Sequence, residues 1–193
     1  MKKLFLFVFA FCTVLMAQAQ MSPRFGIKAG VNYAGLEGDD AGDNDRIFGA
    51  HAGVFVSLPL VEDFFSIKPE ALYSMKGAES QDDDFELKLN YIDVPVLAQI
   101  NAGPLYFEAG PQASFRVSGK IETDLGSTDD LEDLGYKSFL FGYAAGIGLA
   151  SAPLGLSVGV RYSGDASKIT DDDDTKIRNS VFMLTLGYMF PSR

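Results

Sequence analysis

One cysteine, Cys12, stands in the whole 193-residue sequence, and it falls inside the apolar N-terminal segment. Lys2 and Lys3 give that segment a positive start, residues 4–16 are an apolar run, and Ala17-Gln18-Ala19 supplies the small-x-small site that a signal peptidase reads. Cleavage before Gln20 is expected, which divides the chain into a signal peptide over 1–19 and a single domain over 20–193. The run is too short for a spanning helix, which needs about 20 apolar residues. A lipoprotein anchor at Cys12 would require a small residue before it, and Phe11 is there instead. With Cys12 removed, the mature chain has no thiol or disulfide chemistry.

Positive charge is also in short supply. Lys and Arg number 16 against 26 Asp and Glu, a formal net charge of −10 that becomes −12 when Lys2 and Lys3 leave. Nucleic-acid binding is excluded by this balance, since phosphate contacts need clustered Lys and Arg. The acids are not spread as on a soluble acidic protein: 21 of the 26 lie in the stretches 34–45, 77–86, 119–137 and 164–176. Helical periodicity is lacking throughout.

Between the acidic stretches are eight segments that alternate strictly. Phe25, Ile27, Ala29, Val31 and Tyr33 share one face of the first, with Arg24, Gly26, Lys28, Gly30 and Asn32 on the other. The further segments run over 46–58, 64–76, 85–100, 105–117, 139–149, 156–163 and 182–190. Pro69 cannot donate to a ladder, so a bulge or local distortion is expected at it. In the fourth segment the apolar residues change parity at Tyr91-Ile92, which reads as one inserted residue, a β-bulge. Short turns at 59–63, 101–104 and 151–154 alternate with the acidic loops. This is the pattern of an all-β fold, an eight-stranded antiparallel up-and-down transmembrane β-barrel with short periplasmic turns and longer outside loops.

A secreted β-sandwich also alternates, and the second face separates the two. On a sandwich it would meet water and be rich in Thr, Lys and Glu. Here it is Gly, Ala and Ser with isolated charges: Lys68, Glu70, Asp93, Glu108, Arg116 and Arg161. Small residues fit the crowded interior of an eight-stranded barrel. The charges belong inside as well, because a basic residue at the lipid-facing midplane costs about 2–4 kcal/mol. Paired, they are expected to form one lumenal network, since buried charges persist only when paired and hydrogen-bonded. Tyr33, Phe48, Tyr73, Phe115, Phe139 and Tyr162 fall near the loop ends of the strands, and Phe25, Phe65, Phe107, Tyr188 and Phe190 near the turn ends, as two interfacial girdles.

Phe25-Gly26-Ile27-Lys28-Ala29-Gly30-Val31-Asn32, the Tyr-Ile-acid-Val-Pro strand Asn90-Tyr91-Ile92-Asp93-Val94-Pro95-Val96-Leu97, Ala109-Gly110-Pro111, Ala145-Gly146-Ile147-Gly148 and Val160-Arg161-Tyr162 occur in order. Together they resemble the small PorT-like outer-membrane β-barrel family, also called porin-like, over essentially the whole mature chain. The resemblance implies a barrel in the outer membrane of a Gram-negative bacterium. It brings no catalytic motif, and it implies an association with a secretion apparatus in the family's best-known branch. Such barrels commonly end on an aromatic that the insertion machinery reads. This chain departs from that ending, with Pro191-Ser192-Arg193 after Phe190, so Tyr188 and Phe190 are the residues expected to serve as the insertion signal.

His51 is the single histidine. A hydrolase would need it as a base beside Ser57 or Ser74 and an acid such as Glu70, but no spacing fixes such a triad, and a hydrogen-bonded lumenal histidine is the expectation. Asp82-Asp83-Asp84 and Asp171 to Asp174 are hard-cation ligands by type, without EF-hand spacing. No cofactor, metal site or enzymatic activity is therefore expected. The expected role is structural or interactive: a monomeric barrel with a plugged lumen, in contact with membrane lipid and lipopolysaccharide, whose acidic loops meet envelope or secretion proteins. A small-solute porin or a ligand-binding barrel is the alternative.

Overall fold

The computed structural model describes residues 23–38, 44–80, 85–123, 126–128, 137–151, 154–169 and 177–191. The expected signal peptide and the runs 82–84 and 171–174 lie outside the described residues. The strands are β1 (Arg24–Glu37), β2 (Asn44–Val61), β3 (Phe65–Ser80), β4 (Phe85–Ala102), β5 (Leu105–Thr123), β6 (Gly126–Thr128), β7 (Phe139–Ser151), β8 (Leu156–Asp165) and β9 (Arg178–Met189). All pair antiparallel with their chain neighbours except that β7 pairs with β5, because the three-residue β6 is only a ribbon folded back on the end of β5. Pairing of β1 with β9, from Gly26↔Met189 to Glu37↔Arg178, closes the ring. Eight strands thus form a closed antiparallel barrel, which leaves no sheet edge open to lipid.

The three short turns are set by single residues in the left-handed region: Asp63 (φ 58°), Gly103 (φ 65°) and Gly155 (φ 65°). Tight hairpins of opposite strands need such a residue to match the strand twist. These turns and the Gly26↔Met189 end of the β1–β9 pair mark one end of the barrel, the turn end; the Glu37↔Arg178 end of that pair and the acidic stretches mark the other, the loop end. Several strands outrun the sequence-based segments at the loop end. The β3–β4 ladder continues to Glu79↔Glu86 and the β4–β5 ladder to Phe85↔Thr123. A strand needs only about 9–11 residues to cross the hydrocarbon layer, so the 16 to 19 residues of β2–β5 carry the sheet well beyond it.

The expected insertion in β4 is not there. Leu87, Leu89, Tyr91, Asp93, Pro95, Leu97 and Gln99 point inward without a break. What changes at Tyr91 is the surroundings, not the backbone. Beside the bilayer the outer face meets lipid, so Ile92, Val94 and Val96 face out. Farther up the outer face meets water, and apolar residues turn to the interior, where Leu87, Leu89 and Tyr91 pack with Leu140 and Ile169 in a closed core. The register irregularity lies on the partner strand: Asn90 opposes Ser118 while Tyr91 opposes Arg116, which leaves Val117 of β5 as the extra residue. A second shift falls in β2 between Arg46 and His51. Pro69 brings no bulge, since the residues on either side keep one register against β4, but the ladder lapses at Glu70 and Ala71 directly after it.

Candidate functional site

The outer wall is apolar where the inner wall is polar. Phe25, Ile27, Val31 and Tyr33 of β1 are exposed, as are Leu184 and Leu186 of β9 and Val158 and Val160 of β8. At the loop end of this belt, cross-strand partners bring rings together: Tyr33 with Phe48 at 5.1 Å between centroids, Tyr162 with Phe182 at 5.2 Å, and Phe115 with Phe139 at 5.2 Å. Arg46 lays its guanidinium over Tyr33 and Phe182 (5.8 and 5.2 Å) while binding Glu37 at 2.7 Å. A cation whose stem lies on aromatic rings and whose head reaches an acid marks the level where lipid gives way to water. Tyr188 and Phe190 pair edge to face at 5.6 Å at the turn end, and the Phe190 amide donates to the Phe25 carbonyl.

Inside, charged residues meet in two groups. Arg161 of β8 donates to Glu70 of β3 through Nη1 (2.8 Å) and Nη2 (3.1 Å), and to Glu108 of β5 through Nε (2.8 Å) and Nη2 (2.5 Å). Lys28 of β1 donates to Glu70 Oε1, the oxygen that Arg161 Nη2 also reaches. Around the ring, β1, β3, β5 and β8 are alternate strands, so these four side chains form a single layer, and Arg161 joins walls that face each other across the lumen. Lys68 lies one inward position nearer the turns, donating to Gln99 at 2.8 Å and standing 3.9 Å from Glu108. The second group is nearer the loops: Lys76 donates to Asp93 at 2.9 Å, and Ser114 to the same carboxylate oxygen at 2.6 Å.

Such a surface, apolar outside and charged within, belongs in a bilayer. The model of the outer membrane protein beta-barrel domain matches residues 16–164. The chain belongs to that family. Among solved structures, neisserial surface protein A is similar at TM-score 0.58 and 14% identity, over 86% of this chain and 97% of that one. The attachment invasion locus protein Ail of Yersinia pestis, solved in complex with the heparin analogue sucrose octasulfate, is similar at TM-score 0.53 and 16% identity, over 88% of this chain and all of that one. No curated protein matches the sequence. The protein is an outer-membrane β-barrel of a Gram-negative bacterium.

Of the residues singled out from the barrel's sequence, Lys68, Glu70, Glu108 and Arg161 come together. Asp93 instead belongs to the Lys76 group. Arg116 is half-buried opposite Tyr91, two register positions beyond the Asp93–Ser114 pair. Two participants were missed: Lys28, which lay on the polar face of the first segment, and Lys76, whose parity with Lys68 and Glu70 already placed it inside. His51 is buried, with Nδ1 2.7 Å from Asn32 Oδ1 and Nε2 2.9 Å from Thr185 Oγ1. The Asn32 amide nitrogen donates to Ser74 (3.1 Å) and to the Met75 carbonyl (2.8 Å), which leaves Oδ1 to accept from the ring. Both ring nitrogens are thus engaged by Asn32 and Thr185, and neither serine of the conceivable triad is on them. Glycines make room inside: a Cβ on Gly148 would stand 2.5 Å from the Tyr106 hydroxyl.

Proposed function

We propose that this protein is a closed barrel, an anchored scaffold of the cell envelope that conducts no solute and meets its partners through the acidic loops. The observation that carries the reading is Arg161, hydrogen-bonded to Glu70 on the facing wall and to Glu108 between them. An eight-stranded barrel is only wide enough for its own side chains, and an ion-paired layer across that width leaves no path for water or ions. The motif order supports a PorT-like barrel, and with it a partner in a secretion or other envelope assembly. The sign of the loops favours basic or cation-bridged partners. A polysulfate of the kind bound to the Yersinia relative would be repelled by stretches holding 21 acids. Residues 1–19 act as the export signal in this reading, and Tyr188 and Phe190 as the insertion signal.

Single-channel recording on the reconstituted barrel in planar bilayers tests closure. The wild type is expected to be silent. A steady open conductance would instead establish the small-solute porin.

A further inference from the structure

The turn end of the barrel opens into a cavity of about 450 Å³, within the range of roughly 300–1,000 Å³ typical of small-molecule sites. Turn ends of such barrels face the periplasm. Lys68, Gln99 and Tyr106 make the buried floor, and the exposed Val61 and Leu156 lie at the lip.

Charge is unbalanced at that floor. Counted with the layer beneath it, Lys68 makes three cations, with Lys28 and Arg161, against the two carboxylates Glu70 and Glu108. Lys68 is the member least compensated. Its nearest carboxylate oxygen, on Glu108, is 3.9 Å away, and Glu108 is already engaged by Arg161 through its other oxygen. The rest of its surroundings are the neutral Gln99 and the faces of Phe55 (4.6 Å) and Tyr106 (5.7 Å). A buried ammonium is costly unless an anion stands beside it. Ser66, 4% exposed and on the cavity wall, has a hydroxyl with no hydrogen-bond partner among the described residues. Arg24, also on the wall, has an Nε in the same condition. Among the described residues, the one acid in the lining is the exposed turn residue Asp63.

We propose that this cavity is a periplasm-facing binding site for a small carboxylate, its carboxyl group held by Lys68 and Ser66 and its uncharged body resting on Phe55 and the apolar lip. The ion-pair layer lies beneath that floor, so the site is blind: it captures a solute without passing it through. The inference uses the cavity and its charge, and does not depend on what the loops bind.

Hexanoate is the probe, titrated into the isotope-labelled full barrel in detergent micelles and followed by amide NMR, with hexan-1-ol and hexylammonium as controls. Saturable shifts at Ser66, Gln99 and Tyr106 are expected with hexanoate alone. Lys68→Met should weaken binding about tenfold or more, as expected for losing a hydrogen bond to a charged group. Arg24→Gln, at the half-buried mouth, should weaken it by a smaller factor and keeps the test alive if Lys68→Met does not fold. No saturable shift, equal shifts with the alcohol, or undiminished affinity in both variants would overturn the site. A silent conductance together with any of those results leaves the closed barrel standing and removes only the carboxylate site.

Discussion

Replacing Arg161 by methionine should cost the barrel about 3–5 kcal/mol, the usual range when one partner of a buried ion pair is removed. Four hydrogen bonds to two carboxylates disappear at once. The loss is unequal. Glu70 keeps Lys28 beside it, whereas Glu108 retains only Lys68 at 3.9 Å. Most of the penalty is therefore the burial of an uncompensated Glu108 charge, and adding Glu108→Gln to Arg161→Met should restore about 1–3 kcal/mol. The chain has no tryptophan, so unfolding by urea in lipid vesicles is read by far-UV circular dichroism and by the gel mobility of folded against unfolded barrel. An Arg161→Met barrel within about 1 kcal/mol of wild type, or a double variant weaker than the single one, would refute the claim that Arg161 neutralises both walls.

The lipid belt makes a depth-dependent prediction. Leu184, opposite Val31 and Val160, sits in mid-belt, and Leu184→Arg should cost about 2–4 kcal/mol in the same vesicle assay. Phe48→Arg, at the aromatic level beside Arg46, should cost only about 0–1 kcal/mol; equal costs would contradict the placement of the membrane. Cross-linking mass spectrometry on intact outer membranes is expected to recover a protein partner linked through the loop segments. Recovery of the barrel with lipopolysaccharide alone would count against the scaffold role.

The strand count, the turns and the inward parity of the strand charges follow from the sequence alone, because a two-residue period between a lipid face and a crowded lumen leaves a charge within the bilayer one face to occupy. That is why Lys68, Glu70, Glu108 and Arg161 could be assigned to the interior without coordinates. The same period does not say which environment a face meets at a given height. Leu87, Leu89 and Tyr91 look like a slipped lipid face along the chain, and only the height of β4 above the belt shows them to be a water-shielded core. Nor does parity say who pairs with whom. Barrel stagger brings Lys28, Glu70, Glu108 and Arg161 from alternate strands to one level, while Asp93, on the same inward face, is raised to the level of Lys76 and Ser114. Sequence determined the faces, through chemistry that repeats every second residue. Tertiary structure decided the levels, through a closure register between β1 and β9 that no local pattern records.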